Sequence, residues 1–299
     1  MRVTRLHDDE VEIDEPRVRR LLGEQAPAWA GLPLRLVEPP GTDNVVVRLG
    51  DDLVVRLPRT ASADQALDRE QRVMPLLAPF LPSAVPVPVL LGQPQDDYPW
   101  RWSVLPWLPG RPASPGSGDA ALAGQLADVV VALRGIDTAG PTGVDLHSYR
   151  GDPLALRDHD TREGLEQCAG LVDVPRARAA WDRAVEVGEH TGPPTWIHAD
   201  LQPGNLLIDQ NGLAAVLDWG MVAIGDPAVD CLGAWTLLDA TARGAFRARV
   251  DVDDATWARG RGWALSIALV ALPYYVHIDR QVTAWARYAI GQTVDDVLG

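Results

Sequence analysis

The chain has 299 residues, room for two domains or for one two-lobed unit with a large core. Hydrophobic residues make up 46% and charged residues 23%, which excludes wholesale disorder. The formal net charge is −14 and all 27 basic residues are arginine; such a chain is poorly suited to nucleic acid or anionic lipid, and neither is expected as a partner.

The opening stretch, MRVTRLHDDEVEIDEP, lacks the apolar run of a signal peptide. Leu34–Glu38 alternates as a strand does. Asn44–Leu49 and Asp52–Leu57 are β-branched runs around the turn pair Gly50-Asp51 and read as a hairpin. A helix is expected next, capped by Ser62, with Ala66, Leu67, Met74 and Leu77 on its apolar side and Pro75 kinking or ending it. Pro79 to Pro94 reads as an extended connector, and Trp100–Leu105 as another strand. Pro106 to Asp119 is rich in Pro, Gly and Ser and reads as a linker. Beyond it the chain turns helical. One helix runs from Asp119 to about Ile136, with Leu122, Leu126, Val129, Val130 and Leu133 on one face. A second spans Pro175–Glu189, with Ala177, Trp181, Ala184 and Val185 inward. Short strands are expected around Ile197, at Leu206–Ile208 and at Ala215–Leu217, and helices resume after Asp226-Pro227. The apolar run Trp263–Val276 contains Pro273, is too short to span a bilayer and reads as a core helix. Cys168 and Cys231 show no metal-ligand spacing, so two buried thiols in a reducing cytosol are expected.

The chemistry concentrates in WIHADLQPGNLLIDQNGLAAVLDWGMVAIGDPAVD, residues 196–230. His198 and Asp200 follow one short strand, Asn205 opens the next, and Asp218 closes the one after it. Asn205 and Asp218 are hard oxygen donors suited to Mg²⁺ shared with phosphates. Asp200 is placed to accept the proton of an attacking hydroxyl. A base, an asparagine five residues later and then a metal-binding aspartate form the pattern of protein-kinase catalysis, there HRDxxxxN and DFG, here HADLQPGN and DWG. His198 reads as a core histidine bonded to backbone.

On these strings the whole chain resembles the aminoglycoside phosphotransferase family, the small-molecule branch of the kinase-like fold. That family usually shows HGDLHPGN; this chain has Ala199 for the glycine and Gln202 for the second histidine. The resemblance implies Asp200 as catalytic base, Asn205 and Asp218 as Mg²⁺ ligands, and Asp226 and Asp230 as braces of the loop and of the helix that follows. Kinase chemistry also needs a cation on the nucleotide phosphates, and no lysine exists to supply it. Arg56 stands where that lysine would fall, with Glu70 as its partner 14 residues on. The turn around Gly41 and Thr42 offers N–H groups and a hydroxyl to phosphate, and is not a Walker A loop. The resemblance places adenine at the linker, against the carbonyl of Pro106 and the N–H of Leu108, with Trp107 packing nearby.

The expectation is an α+β, bilobal protein-kinase-like fold: a β-rich nucleotide-binding lobe at 1–105 and a helical lobe at 106–299 that carries the catalytic loop and acceptor site. The expected activity is transfer of the γ-phosphoryl group of ATP (or GTP), with Mg²⁺, to a hydroxyl of a small molecule, an aminoglycoside-like antibiotic first, with a macrolide, another antibiotic or a small metabolite as the alternative acceptor. Asp152, Asp158, Asp160, Glu163, Glu166 and Asp279 could hold a cationic acceptor; Trp235, Trp257 and Trp263 could instead line an apolar pocket for a macrolide or nucleoside. A nucleotide-binding regulatory module without turnover is the rival from another class. A protein kinase is disfavoured, because the chain between Asp218 and Asp226 is too short for a peptide-docking loop.

Overall fold

The computed structural model describes residues 10–38, 41, 43–139, 143 and 145–299. The chain divides into two compact units. One is Met1–Pro79, Val85–Leu108 and Thr142–Asp145; the other is Phe80–Ala84, Pro109–Pro141 and Leu146–Gly299.

The first unit is an antiparallel sheet with helices on it. Its strands are β1 (Leu34–Leu36), β2 (Asn44–Leu49), β3 (Leu53–Pro58), β4 (Leu90–Gly92) and β5 (Trp102–Pro106), in the order β1-β2-β3-β5-β4. The β2–β3 hairpin turns at Gly50, whose φ of +62° suits the left-handed turn. Period-2 alternation puts Val45, Val47, Leu49, Val55 and Leu57 into one core with Val18, Leu21 and Leu22 of α1 (Glu15–Gln25). Each such buried side chain is worth roughly 1.5–3 kcal/mol, so the register is strongly specified. A slip of one residue would drive Arg56 into that core.

The sequence did not lead us to expect α1, although Asp14 caps it by accepting from the Arg17 N–H at 2.9 Å and Pro16 sits in its first turn. The helix after the hairpin is α2, Ala61–Leu77. Its cap is Thr60 rather than Ser62; the Thr60 hydroxyl accepts from the Ala63 N–H at 3.4 Å. Pro75 does not end it. The residue is exposed near the helix end, and Met74 and Leu77 stay buried around it. The connector 79–94 contains β4, which pairs Leu90 with Val104 at the sheet edge, where nearby prolines are tolerated.

The second unit is mostly helical: α3 (Ala120–Arg134), α4 (Asp158–Gln167), α5 (Val174–Val185), α6 (Gly233–Thr236), α7 (Ala240–Val250), α8 (Asp254–Tyr275) and α9 (Arg280–Leu298). Asp119 caps α3, and the five apolar residues expected on its inner face are all buried. Part of the 106–119 linker is strand: β6 (Arg111–Pro112) pairs with β8 (Leu206–Asp209), which pairs with β9 (Gly212–Val216). A separate two-stranded ribbon joins β7 (Thr195–Ile197) to β10 (Ala223–Gly225).

Trp235, Trp257 and Trp263 are core, not pocket lining. They are 0%, 6% and 0% exposed, and the rings of Trp235 and Trp257 pack 4.5 Å apart. Cys168 and Cys231 are buried free thiols. Among the described residues no helix is long and apolar enough to cross a membrane.

Candidate active site

The loop of residues 198–205 leaves β7 beside its partner β10 and is held from both ends. The N–H groups of His198 and Ala199 donate to the two oxygens of Asp230 at 2.9 and 2.7 Å. Asp230 is 1% exposed, and burial pushes its carboxyl up to about 7, against the pull of the two N–H donors. The N–H of Asp200 donates to His198 Nδ1 at 3.1 Å, so the ring proton sits on Nε2 and is donated to the Leu217 carbonyl at 3.0 Å. The edge of Trp219 packs against the same ring, with centroids 4.5 Å apart. Burial lowers the His198 pKa, in keeping with a neutral imidazole that bridges two backbone segments.

That bridge brings the metal-ligand candidates together. The Leu217 N–H donates to the Asn205 carbonyl at 2.8 Å. One peptide unit therefore fixes the start of Asp218 beside Asn205. Asp218 has φ +56°, a turn of the chain that ends the strand direction there. The Asn205 amide donates to the Asp200 carbonyl at 2.9 Å and to Asp200 Oδ2 at 2.8 Å. Its NH₂ is thus turned to Asp200, and its carboxamide oxygen is the atom available to a cation. Among the described residues no cluster of three or more His, Cys, Asp or Glu could hold a metal. Two hard oxygens, from Asn205 and Asp218, fit Mg²⁺, which takes the rest of its shell from phosphates and water.

Gln202, at the position of the family's second histidine, is tied to its own loop: its Oε1 accepts from the Gly204 N–H at 3.0 Å and caps the short helical turn Pro203–Asn205. Asp226 caps the turn Pro227–Leu232 through the Ala228 N–H at 2.9 Å and accepts from Arg259 Nε at 2.7 Å.

One participant had no signal in the local motif. Arg150 lies 50 residues upstream, in the helical turn Tyr149–Gly151. Its Nη1 donates to the Ala199 carbonyl at 2.8 Å and to Asp200 Oδ1, and its Nε donates to the Tyr149 hydroxyl at 3.1 Å. Burial works against the charge but is outweighed by the Asp200 carboxylate, which holds Arg150 above its ordinary pKa. Its turn is fixed by close backbone approach. A Cβ on Gly225 would lie 2.5 Å from the Gly151 Cα, so no side chain fits there.

The other predicted residues lie in the first unit. Arg56 Nη1 donates to Glu70 Oε2 at 2.5 Å, with the side chains 8% and 2% exposed. Gly41 is pinned by Arg59 Nε, which donates to its carbonyl at 3.1 Å, and a Cβ at Gly41 would lie 2.8 Å from the Asn44 carbonyl oxygen. Thr42 lies outside the described residues. Pro106 ends β5, and Leu108 follows it after Trp107. The Trp107 N–H donates to the Asp52 carbonyl at 2.7 Å, and its ring lies under the Arg48 guanidinium at 3.8 Å.

Of the acidic residues weighed for the acceptor, Asp152 pairs with His147, Asp158 with Arg162 and the Trp181 N–H, and Asp160 with Arg157. Glu163 accepts from Gln167, and Asp279 caps α9.

Comparison with known proteins bears on the family and the fold. The model of a phosphotransferase enzyme family matches residues 36–263. The structure of a GDP complex of aminoglycoside 2'-phosphotransferase-IIIa is similar at TM-score 0.74 and 19% identity, covering 95% of this chain and 99% of that one. A macrolide 2'-phosphotransferase from Brachybacterium faecium is similar at TM-score 0.60 and 22% identity, covering 92% and 97%. A streptomycin–ATP complex of an aminoglycoside 2''-phosphotransferase is similar at TM-score 0.62 and 17% identity, covering 94% and 97%. These likenesses establish the protein-kinase-like α+β fold. A comparison with curated proteins finds no match.

Proposed function

The chain belongs to the phosphotransferase enzyme family, and from that premise we propose that it moves the γ-phosphoryl group of ATP or GTP to a hydroxyl of a small molecule, an aminoglycoside-like compound first. The observation that carries this reading is the Asp200 carboxylate, fixed at Oδ2 by Asn205, which the Leu217 peptide ties to the start of Asp218. In the proposed step Asp200 accepts the hydroxyl proton as the acceptor oxygen bonds to the γ-phosphorus. The bond from that phosphorus to the bridging oxygen breaks, and the nucleoside diphosphate leaves with the electron pair. Asn205 and Asp218 would hold Mg²⁺, which supplies neutralisation of phosphate charge. Arg56, held by Glu70, would pair with the α- and β-phosphates; a guanidinium does this bidentately where an ammonium acts as a point charge. Gly41 and Thr42 would donate to phosphate, and the Pro106 carbonyl and Leu108 N–H would meet the base. On this reading residues 1–105 serve the nucleotide and residues 106–299 the chemistry and the acceptor.

The neighbours with kanamycin, gentamicin and streptomycin in their descriptions favour an aminoglycoside-like acceptor, and the macrolide phosphotransferases keep a macrolide as the second choice. The test is a phosphorylation screen of these compounds with Mg·ATP and Mg·GTP. At least one should be phosphorylated, and Asp200→Asn should lower kcat by about 10²–10⁴ with nucleotide affinity nearly intact. Transfer that survives Asp200→Asn would remove Asp200 from its role. Nucleotide binding without transfer to any acceptor would favour a regulatory module.

A further inference from the structure

Every polar atom of Asp200 is engaged within the second unit. Its N–H goes to His198, its carbonyl accepts from Gln202 N–H and Asn205, and its Oδ2 accepts from Asn205. Only Arg150 holds the remaining oxygen, Oδ1, among the described residues. The same Nη1 also holds the carbonyl of Ala199, whose φ of +67° is a conformation an alanine adopts only at a cost of about 1–2 kcal/mol. The guanidinium therefore restrains two successive residues of the loop, one through its strained backbone and one through its carboxylate. The Arg150 side chain is itself constrained: 14% exposed, bonded to the Tyr149 hydroxyl, and carried on a turn pressed against Gly225.

We propose that Arg150 is a positioning residue for phosphoryl transfer, clamping the Asp200 carboxylate in the orientation in which it receives the acceptor hydroxyl. This rests on the reading of Asp200 as the base. The torsion that turns a carboxylate about its Cβ–Cγ bond is broad, so a carboxylate held at one oxygen samples many orientations and one held at both does not. Each carboxylate oxygen has a second lone pair, so the clamp leaves room for the hydroxyl. Misplacement of a reacting group by about 1 Å can cost 10²-fold in rate. Lysine at 150 would keep the charge but not the Nε–H that donates to the Tyr149 hydroxyl, so its ammonium would be held less firmly in place.

The experiment uses the whole chain with Mg·ATP and two acceptors, kanamycin and water, the second read as slow ATP hydrolysis. Arg150→Met should lower kcat for both by about 10²-fold with the KM for ATP little changed, and Arg150→Lys should recover part of that loss. Thermal midpoints of the two variants should not account for the gap between them. Wild-type turnover in Arg150→Met would overturn the proposal. So would equal losses in both variants that simply follow their thermal midpoints. Amide exchange of the 196–205 segment provides a reading free of any acceptor. It should quicken about tenfold in Arg150→Met, the loss of one to two hydrogen bonds, while distant helices exchange as before. If the wild type phosphorylates neither kanamycin nor water, the phosphotransfer reading fails with these acceptors, and exchange alone decides the clamp: unchanged exchange in the variant overturns it.

Discussion

Two buried charges in this molecule are satisfied in opposite ways. Arg56 in the sheet unit meets a full counter-charge on Glu70, side chain to side chain. Asp230 in the helical unit has no arginine in hydrogen-bond contact among the described residues; its two oxygens take peptide N–H groups of His198 and Ala199. The first arrangement places a cation on a strand with little backbone involvement. The second uses a carboxylate to shape backbone, forcing two successive N–H groups to converge and the loop to turn sharply before Asp200. A counter-charge thus serves to aim a side chain, and neutral donors serve to set a chain path.

The largest effect that would sharpen this contrast is expected at the ion pair. Glu70→Ala removes the buried counter-charge that Arg56 meets, which should cost about 3–5 kcal/mol of stability by denaturant unfolding. The double substitution Arg56→Met with Glu70→Met removes both charges and should cost much less, because a buried pair contributes little net stability against an apolar replacement. It should still weaken Mg·ATP binding. A double variant as unstable as Glu70→Ala would mean that loss of the pair, and not the removal of one partner alone, sets the cost.

Next in size is Asp230→Asn. An amide can accept from one N–H but presents its own N–H to the other, so one buried donor is left unpaired at about 1–3 kcal/mol. Because the loop path depends on this residue, kcat should fall as well, whereas nucleotide affinity should hold. Undiminished kcat would show that the loop keeps its course without the carboxylate.

The contrast also explains what could be read from sequence. The loop 198–205 was legible because its partners are close in the chain: His198 to Asp200, Asp200 to Asn205, Gln202 to Gly204. The β2–β3 hairpin was legible for the same reason, a local turn between alternating runs. Arg150 was not, because its link to Asp200 spans 50 residues and nothing in HSYRGDP distinguishes its arginine from a surface one. The tripeptide Gly-Asp-Pro occurs twice, at 151–153 and 225–227, and only burial separates the roles. Asp226 is 5% exposed and binds Arg259, whereas Asp152 meets the exposed His147. In helix α1 the signals are local but weak: Val18, Leu21 and Leu22 make a narrow apolar stripe within a strongly charged opening. For Trp235, Trp257 and Trp263 the alternative of pocket lining stayed open in the sequence, because side-chain size says nothing about which way a helix face points, and burial closes it.

A smaller effect is expected at Ala199. Glycine in place of alanine usually costs about 0.5–1 kcal/mol through the unfolded chain. Here the φ of +67° is strained for alanine and free for glycine. The two contributions oppose each other, and Ala199→Gly should range from wild-type stability to about 1.5 kcal/mol above it. A loss of a full kcal/mol would mean that the Asp230 and Arg150 bonds hold this backbone without strain.

The contrast reaches last into the pH dependence of stability. Burial raises the Asp230 carboxyl from an ordinary 3.8 to about 7. The folded state then binds a proton that the unfolded chain has released, and this contribution, full below about 4, is lost as pH rises through 7. Burial lowers His198 below its ordinary 6.5. There the unfolded chain binds the proton, so the contribution is full above 6.5 and is lost as pH falls below it. Just below pH 6.5 the two slopes oppose each other, so each blunts the other's effect on the wild-type stability. Asp230→Asn removes only the carboxyl. Urea unfolding of that variant at pH 5, 6 and 7 should show stability falling toward acid more steeply than in the wild type. Parallel profiles for the two proteins would mean that Asp230 keeps an ordinary carboxylate pKa and holds the loop as a full negative charge.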